Sequence, residues 1–177
     1  MSVKVIESKT VFQGRVFNVR QETIELPDGR SAHLDIVAHH GAVTIIPLDE
    51  RGQIWFVRQF RHAAGELLLE LPAGVIETDE SPEECARRET QEEIGMAADH
   101  LQHIGEFYLA PGYSTEYMHI FLAQHLNPDP RQKDPDELLS VEQIPIEEAY
   151  TLAKSGGIRD AKTLAALFLA QPYLHSS

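Results

Sequence analysis

Residues 74–96 read GVIETDESPEECARRETQEEIGM, and the fold turns on this stretch. Ser81 followed by Glu84 makes a capping-box pattern, Pro82 takes the first helical position, and Gly95 supplies a stop. A helix is therefore predicted over Pro82 to Ile94. Counting roughly 100° per residue from Glu89, Glu93 falls near +40°, Glu92 near −60° and Cys85 near −40°. The apolar stripe of Ala86, Thr90 and Ile94 spans roughly +60° to +140°. The carboxylates thus border the buried stripe, and the outward face is left to Glu84, Arg87 and Gln91.

A run of glutamates is most often a solvated helix face. Here Glu89 and Glu93 repel one another at i and i+4, and a half-buried edge raises the cost of keeping them charged. No lysine sits at a neighbouring helical position, and only Arg88, four residues before Glu92, is at hand to neutralise them. A divalent cation would remove the conflict, because clustered oxygen ligands suit Mg²⁺ or Mn²⁺. The helix reads as one built around a metal.

Working outward, Phe17 to Leu26 and Ser31 to His39 read as strands around the turn Pro27-Asp28-Gly29. Ala42 to Leu48 and Gln53 to Phe60 read as a second hairpin across Asp49-Glu50-Arg51-Gly52. Further strands are expected at Leu67 to Leu71, Gln102 to Leu109, Tyr117 to Gln124 and Leu138 to Gln143. Helices are expected at Ile146 to Lys154, closed by Gly156-Gly157, and at Asp160 to Gln171 with Asp160 as N-cap. Asn127 to Pro135 is polar and proline-rich, the composition of a mobile loop. Strands with a few helices that do not strictly alternate point to an α+β fold, a mixed sheet between helices.

With 177 residues, the chain suits one domain plus a modest appendage, and 42% hydrophobic residues are enough for a core. No apolar run is long enough to span a membrane, and Met1 to Thr10 is too charged for a secretory leader. The lone Cys85 rules out an internal disulfide and fits a reducing compartment, with the cytoplasm as the default. Against 28 acidic residues stand 15 Lys and Arg, a net charge of −13 that repels a nucleic acid backbone. A small phosphorylated ligand stays compatible, provided metals and a few arginines gather cations locally.

Gly74, Glu80, Arg88, Glu89, Glu92, Glu93 and Gly95 match each fixed residue of G-x5-E-x7-R-E-U-x-E-E-x-G-U, and Met96 fits its last apolar position. The chain thereby resembles the Nudix hydrolases; the one departure is Thr90, where an aliphatic residue is usual. The resemblance implies an α/β/α sandwich carrying a loop–helix–loop. It also implies that Glu89, Glu93 and usually Glu92 hold metal, that Arg88 orients the glutamates, and that the Ala73 carbonyl joins the metal shell. Mg²⁺ is the implied cofactor, with Mn²⁺ as an alternative.

Outside the box, the runs Arg58-Gln59-Phe60-Arg61, Leu69-Glu70-Leu71-Pro72-Ala73-Gly74 and Ala110-Pro111-Gly112-Tyr113-Ser114-Thr115-Glu116 are similar to the ADP-ribose pyrophosphatase branch. That likeness implies hydrolysis of ADP-ribose to AMP and ribose 5-phosphate. The alternatives are another nucleotide sugar such as GDP-mannose, or a nucleotide-sensing module that does not cut. By the same likeness Arg61 is a candidate diphosphate clamp or else a surface arginine at a strand end, and Arg58 a substrate contact or only an ion pair. Glu70 and Glu116 are candidates for ribose hydroxyls or for assisting the metal, or are structural acceptors. A general base is implied in an acidic loop after the box, Glu137 first and Asp136 second, with Glu93 in reserve. Residues 1–40 are implied to form an N-terminal β region that exchanges across a homodimer, with the hydrolase domain over 41–177.

His39 and His40 are adjacent on a strand and point to opposite faces, so they read as structural. Cys85 reads as packing, and Trp55 as core.

Overall fold

The computed structural model describes residues 3–132 and 138–174. These residues form two compact units, one from residues 3–41 with 107–117, the other from the described parts of 42–106 and 118–174.

The first unit is an antiparallel meander of β1 (Lys4–Gln13), β2 (Asn18–Glu25) and β3 (Ser31–Ala38). The turn between β2 and β3 forms where Pro27-Asp28-Gly29 requires it. Gly29 has φ 82°, and Asp28 accepts a hydrogen bond from the Arg30 N–H at 3.1 Å. The expected hairpin is present, while β1 was not expected. Each residue of β1 is exposed, so neither face is selected for apolar side chains and the period-two signal of a half-buried strand is missing. Residues 113–115 run beside β3, with the Val37 N–H donating to the Tyr113 carbonyl at 2.8 Å.

In the second unit, β4 (Ala42–Pro47) is buried along its whole length, and it lies in the four-stranded mixed sheet β7-β4-β9-β8. There β9 (Tyr117–Pro128) runs parallel to β4, whereas the short β7 (Ala73–Val75) runs antiparallel. The outer strand β8 spans Met96–Tyr108. The strands β5 (Gln53–Arg61), β6 (Glu66–Glu70) and β10 (Leu139–Pro145) form a separate antiparallel sheet in the order β10-β5-β6. The hairpin expected between β4 and β5 is therefore corrected. The two strands part into different sheets, and Leu48↔Ile54 is an isolated bridge between them. A strand as apolar as AVTIIP needs partners on both edges and cover on both faces, which a two-stranded hairpin cannot give.

Helix α1 (Pro82–Glu93) packs on one face of β4, and α3 (Ala161–Leu174) packs on β4 as well. Under α1 lies a cluster of Val43, Ile45, Cys85, Ala86, Ala98, Phe121 and Ala123. Leu169 of α3 meets Gly105 so closely that a Cβ there would stand 2.9 Å from it. Helix α2 (Ile146–Ser155) rests on β5 and β10 and closes at Gly156 with φ 81°. Asp160 caps α3 as expected, accepting from the Thr163 N–H at 3.0 Å. Among the described residues, no helix is long and apolar enough to cross a membrane.

Candidate active site on the acidic helix

The local sequence builds α1 as read. The Ser81 Oγ accepts from the Glu84 N–H at 3.2 Å, and the Glu84 carboxylate accepts from the Ser81 N–H at 2.9 Å. Ala86, Thr90 and Ile94 are buried, and the Thr90 hydroxyl donates to the Ala86 carbonyl at 2.6 Å. A threonine in the aliphatic position thus leaves no unsatisfied hydroxyl. Gln91 is a correction, because it is buried instead of facing outward. Its Nε2 donates to Asp129 at 2.5 Å, and its carbonyl accepts from the Arg131 N–H. Part of the expected loop at Asn127 to Pro135 therefore lies on the end of α1, held also by the bond from the Asp129 N–H to the Gly95 carbonyl. Glycine at 95, with φ 72°, turns the chain there.

Arg88 joins the carboxylates. Its Nε and Nη2 donate to Glu80 at 2.8 and 2.9 Å, and its Nη1 donates to Glu89 at 2.6 Å and to Glu92 at 3.1 Å. A further bond reaches the Val75 carbonyl at 3.2 Å, tying the helix to β7. One guanidinium is thus shared among three carboxylates. Arg88 is held firmly protonated, first through its hydrogen bonds to Glu80, with Glu89 adding to the effect. Those bonds draw the Glu80 carboxyl down to about 2.

A pH dependence follows. A carboxyl whose folded value is depressed stabilises the fold above its ordinary range, and that contribution disappears as pH falls from the ordinary 4.5 toward about 2. Glu80→Gln is expected to flatten the fall of the melting temperature across this window. Identical acid slopes for the two chains, measured by circular dichroism, would contradict the pairing.

Glu89 and Glu93 are buried and lie against the backbone of β7. A Glu93 oxygen accepts from the Ala73 N–H at 3.1 Å. At Gly74 a Cβ would stand 1.7 Å from a Glu89 oxygen, so glycine is required for the carboxylate to come this near. Ala73 and Gly74 pair with Thr44 and Val43 of β4, which fixes this wall. The donor set is all oxygen, buried, acidic and backed by a rigid strand, a fit to a hard divalent cation such as Mg²⁺.

A second network joins β5, β6 and α3. Arg61 grips Glu70 through two bonds of 2.8 and 2.7 Å, and Lys162 of α3 also donates to Glu70 and, at 2.9 Å, to Asp160. Glu70 is 1% exposed. Burial would raise its carboxyl, but Arg61 and Lys162 together hold it below the ordinary value. Arg61 is raised, chiefly by its bonds to Glu70, with Glu93 and Asp160 adding through space. Arg58 instead pairs with Glu142 of β10 at 2.5 and 3.0 Å. Sequence reasoning missed Lys162 and Glu142, which stand 92 and 84 positions from their partners, beyond any local pattern.

Glu116 belongs to the first unit, where its N–H donates to the Ser114 hydroxyl at 3.1 Å. Glu137 and Asp136 lie outside the described residues. Cys85 is fully buried, and burial pushes its thiol far up, which suits packing. His39 Nδ1 accepts from the Gly41 N–H at 3.0 Å, and Trp55 donates to Asp49 at 3.2 Å.

The chain matches known proteins along most of its length. A family model described as NUDIX domain matches residues 38–167, and one described as nucleoside diphosphate sugar hydrolase N-terminal domain matches residues 3–33. An ADP-ribose pyrophosphatase of Bacillus subtilis (strain 168) is 38% identical over 93% of this chain and 90% of its own. A GDP-mannose pyrophosphatase of Yersinia enterocolitica is 32% identical over 97% of each. A crystal structure of an ADP compounds hydrolase superposes with TM-score 0.87 at 26% identity, covering 98% of this chain and 95% of that one.

Proposed function

The chain belongs to the Nudix family, and from that premise we propose that it is a divalent-metal-dependent enzyme that hydrolyses ADP-ribose to AMP and ribose 5-phosphate. The observation that carries this reading is the pair of buried carboxylates, Glu89 and Glu93, set against the Ala73–Gly74 backbone and flanked by Arg88. Glu89, Glu92, Glu93 and the Ala73 carbonyl would hold the cation, Mg²⁺ in the first place and Mn²⁺ as its alternative. When bound, such an ion neutralises diphosphate oxygens and acidifies water. Arg88 keeps Glu89 and Glu92 from swinging away, and Glu80 in turn anchors Arg88. Glu137 is the proposed general base, with Asp136 and Glu93 as its alternatives.

Arg61 is proposed as the diphosphate clamp. Its side chain is 40% exposed and its guanidinium is oriented by Glu70, so it can meet phosphate without first becoming ordered. A charge-assisted contact of about 1.5–3 kcal/mol predicts that Arg61→Ala raises KM about 10- to 100-fold with a smaller change in kcat. A KM equal to that of the parent chain would remove Arg61 from the substrate. Glu70 then acts on substrate through Arg61. Direct ribose contact by Glu116 and substrate contact by Arg58 belong to the same proposal, with the Glu142 pairing as the structural role that competes for Arg58.

The Yersinia relative supports a second reading, GDP-mannose or another nucleotide sugar as substrate. Retention of Glu89, Glu92 and Glu93 speaks against a module that binds without cutting. Turnover on ADP-ribose, GDP-mannose, UDP-glucose, NADH, diadenosine polyphosphate and CoA in the presence of Mg²⁺ separates these readings. Preference for ADP-ribose supports the first, preference for GDP-mannose replaces the substrate alone, and binding without turnover overturns the enzyme.

A cytoplasmic location is part of this proposal. So is a homodimer built through residues 1–40, because Val5, Ile6, Val11, Phe12 and Leu34 of the N-terminal sheet are exposed apolar side chains. Light scattering is expected to give twice the chain mass, and a monomer mass at working concentration would end the dimer proposal.

A further inference from the structure

Two histidines and a glutamate converge on the adjacent strands β8 and β9 of the mixed sheet, apart from the acidic helix. His119 Nδ1 stands 3.3 Å from the Glu106 carboxylate, and His103 Nε2 stands 3.7 Å from the same oxygen. Each of the three residues offers a ligand atom within 4.8 Å of the other two. We propose that His103, Glu106 and His119 form a second cation site, one for a borderline-soft divalent ion of the Zn²⁺ or Co²⁺ class, separate from the Mg²⁺ reading of the acidic helix.

The distances are those of a site one small adjustment from closure. Ligand atoms about 2.0–2.2 Å from a tetrahedral Zn²⁺ stand roughly 3.4 Å from each other. Two of the three separations are already near that value, and the exposed His103 side chain has room to close the third. His103 is steadied edge-on against Phe121, with ring centroids 5.2 Å apart. His119 is fixed by its strand, where it pairs with Val43, which in turn pairs with Gly74. Burial lowers His119 below its usual value, which favours the neutral imidazole that a metal takes. The donor chemistry separates the two sites. Imidazole selects Zn²⁺, Co²⁺, Ni²⁺ or Cu²⁺, whereas the all-oxygen set on α1 selects Mg²⁺ or Mn²⁺. Three protein ligands at a partly exposed place also leave room for water or a further ligand.

Two strand spacings of about 4.8 Å separate His119 from Gly74, so an ion there would lie roughly 10 Å along the sheet from the acidic wall. It would cross-link β8 to β9, whose ends carry residues 107–117. Its expected action is to stiffen that strand pair, which makes it a structural ion.

The test is a titration of Co²⁺ and then Zn²⁺ into the full chain in excess Mg²⁺, read by visible absorption, calorimetry and the melting temperature. One equivalent is expected to bind, with cobalt d–d bands and a raised melting temperature. His103→Ala and His119→Ala are each expected to weaken binding by more than about tenfold, since even an outer partner of a metal ligand costs that much. Glu93→Gln should bind the ion as the parent does. No binding, undiminished binding by His103→Ala, or loss in Glu93→Gln instead would each overturn the proposal. Should His119→Ala fail to fold, His103→Ala decides the matter, because its side chain is 43% exposed.

Discussion

Gly74→Ala is expected to lower turnover by on the order of a hundredfold while the chain stays folded. The added methyl carbon would lie 1.7 Å from one Glu89 oxygen and 2.0 Å from the carboxyl carbon, so one of them must move. Gly74 is not among the residues with positive φ, and alanine therefore meets no backbone strain there. The cheaper response is rotation of Glu89, which breaks its 2.6 Å bond to Arg88 and takes the carboxylate out of the cation wall. Stability changes little, while the oxygen that should hold metal is displaced. Melting temperature and steady-state turnover measured on one preparation separate the two effects. Parent-like turnover would show that Glu89 need not occupy this position.

The second large effect belongs to Glu93→Gln. The amide keeps the side-chain length and an oxygen to accept the Ala73 N–H, now made at 3.1 Å, so the strand–helix contact survives. What it removes is a negative charge that is 2% exposed and lies one turn from Glu89. Loss of that charge relieves crowding in the metal-free chain, so the melting temperature is expected to hold or rise slightly. A cation site without it binds Mg²⁺ more weakly, and turnover is expected to fall by at least about a hundredfold. Unchanged turnover would refute the metal role of Glu93. A large fall in melting temperature would mean that its role is structural.

These effects bear on what the amino-acid sequence reveals. The helix from Ser81 to Gly95 was readable because its cap, apolar stripe and stop are local signals, each set by neighbours within one turn or two. Gly74 was readable as a fixed glycine of the motif, but the atom that demands it, a Glu89 oxygen, comes from 15 positions away and is visible only in the fold. Strand β1 was not readable because all its residues are exposed and no face repeats. The parting of β4 from β5 was hidden because apolar runs joined by a polar turn look alike whether they pair with each other or with distant strands. The Glu70 network shows the same limit. Arg61 could be suspected from the likeness of its run to the ADP-ribose pyrophosphatase branch, but Lys162 donates to Glu70 from α3, and only tertiary packing brings the two together.

The most direct test of the account is product analysis on chelator-treated protein supplied with ADP-ribose, before and after Mg²⁺ is restored. The stripped protein is expected to show no turnover, then to give AMP and ribose 5-phosphate in equal amounts once Mg²⁺ returns. Equal turnover with and without chelator, or intact ADP-ribose in the presence of Mg²⁺, would contradict it.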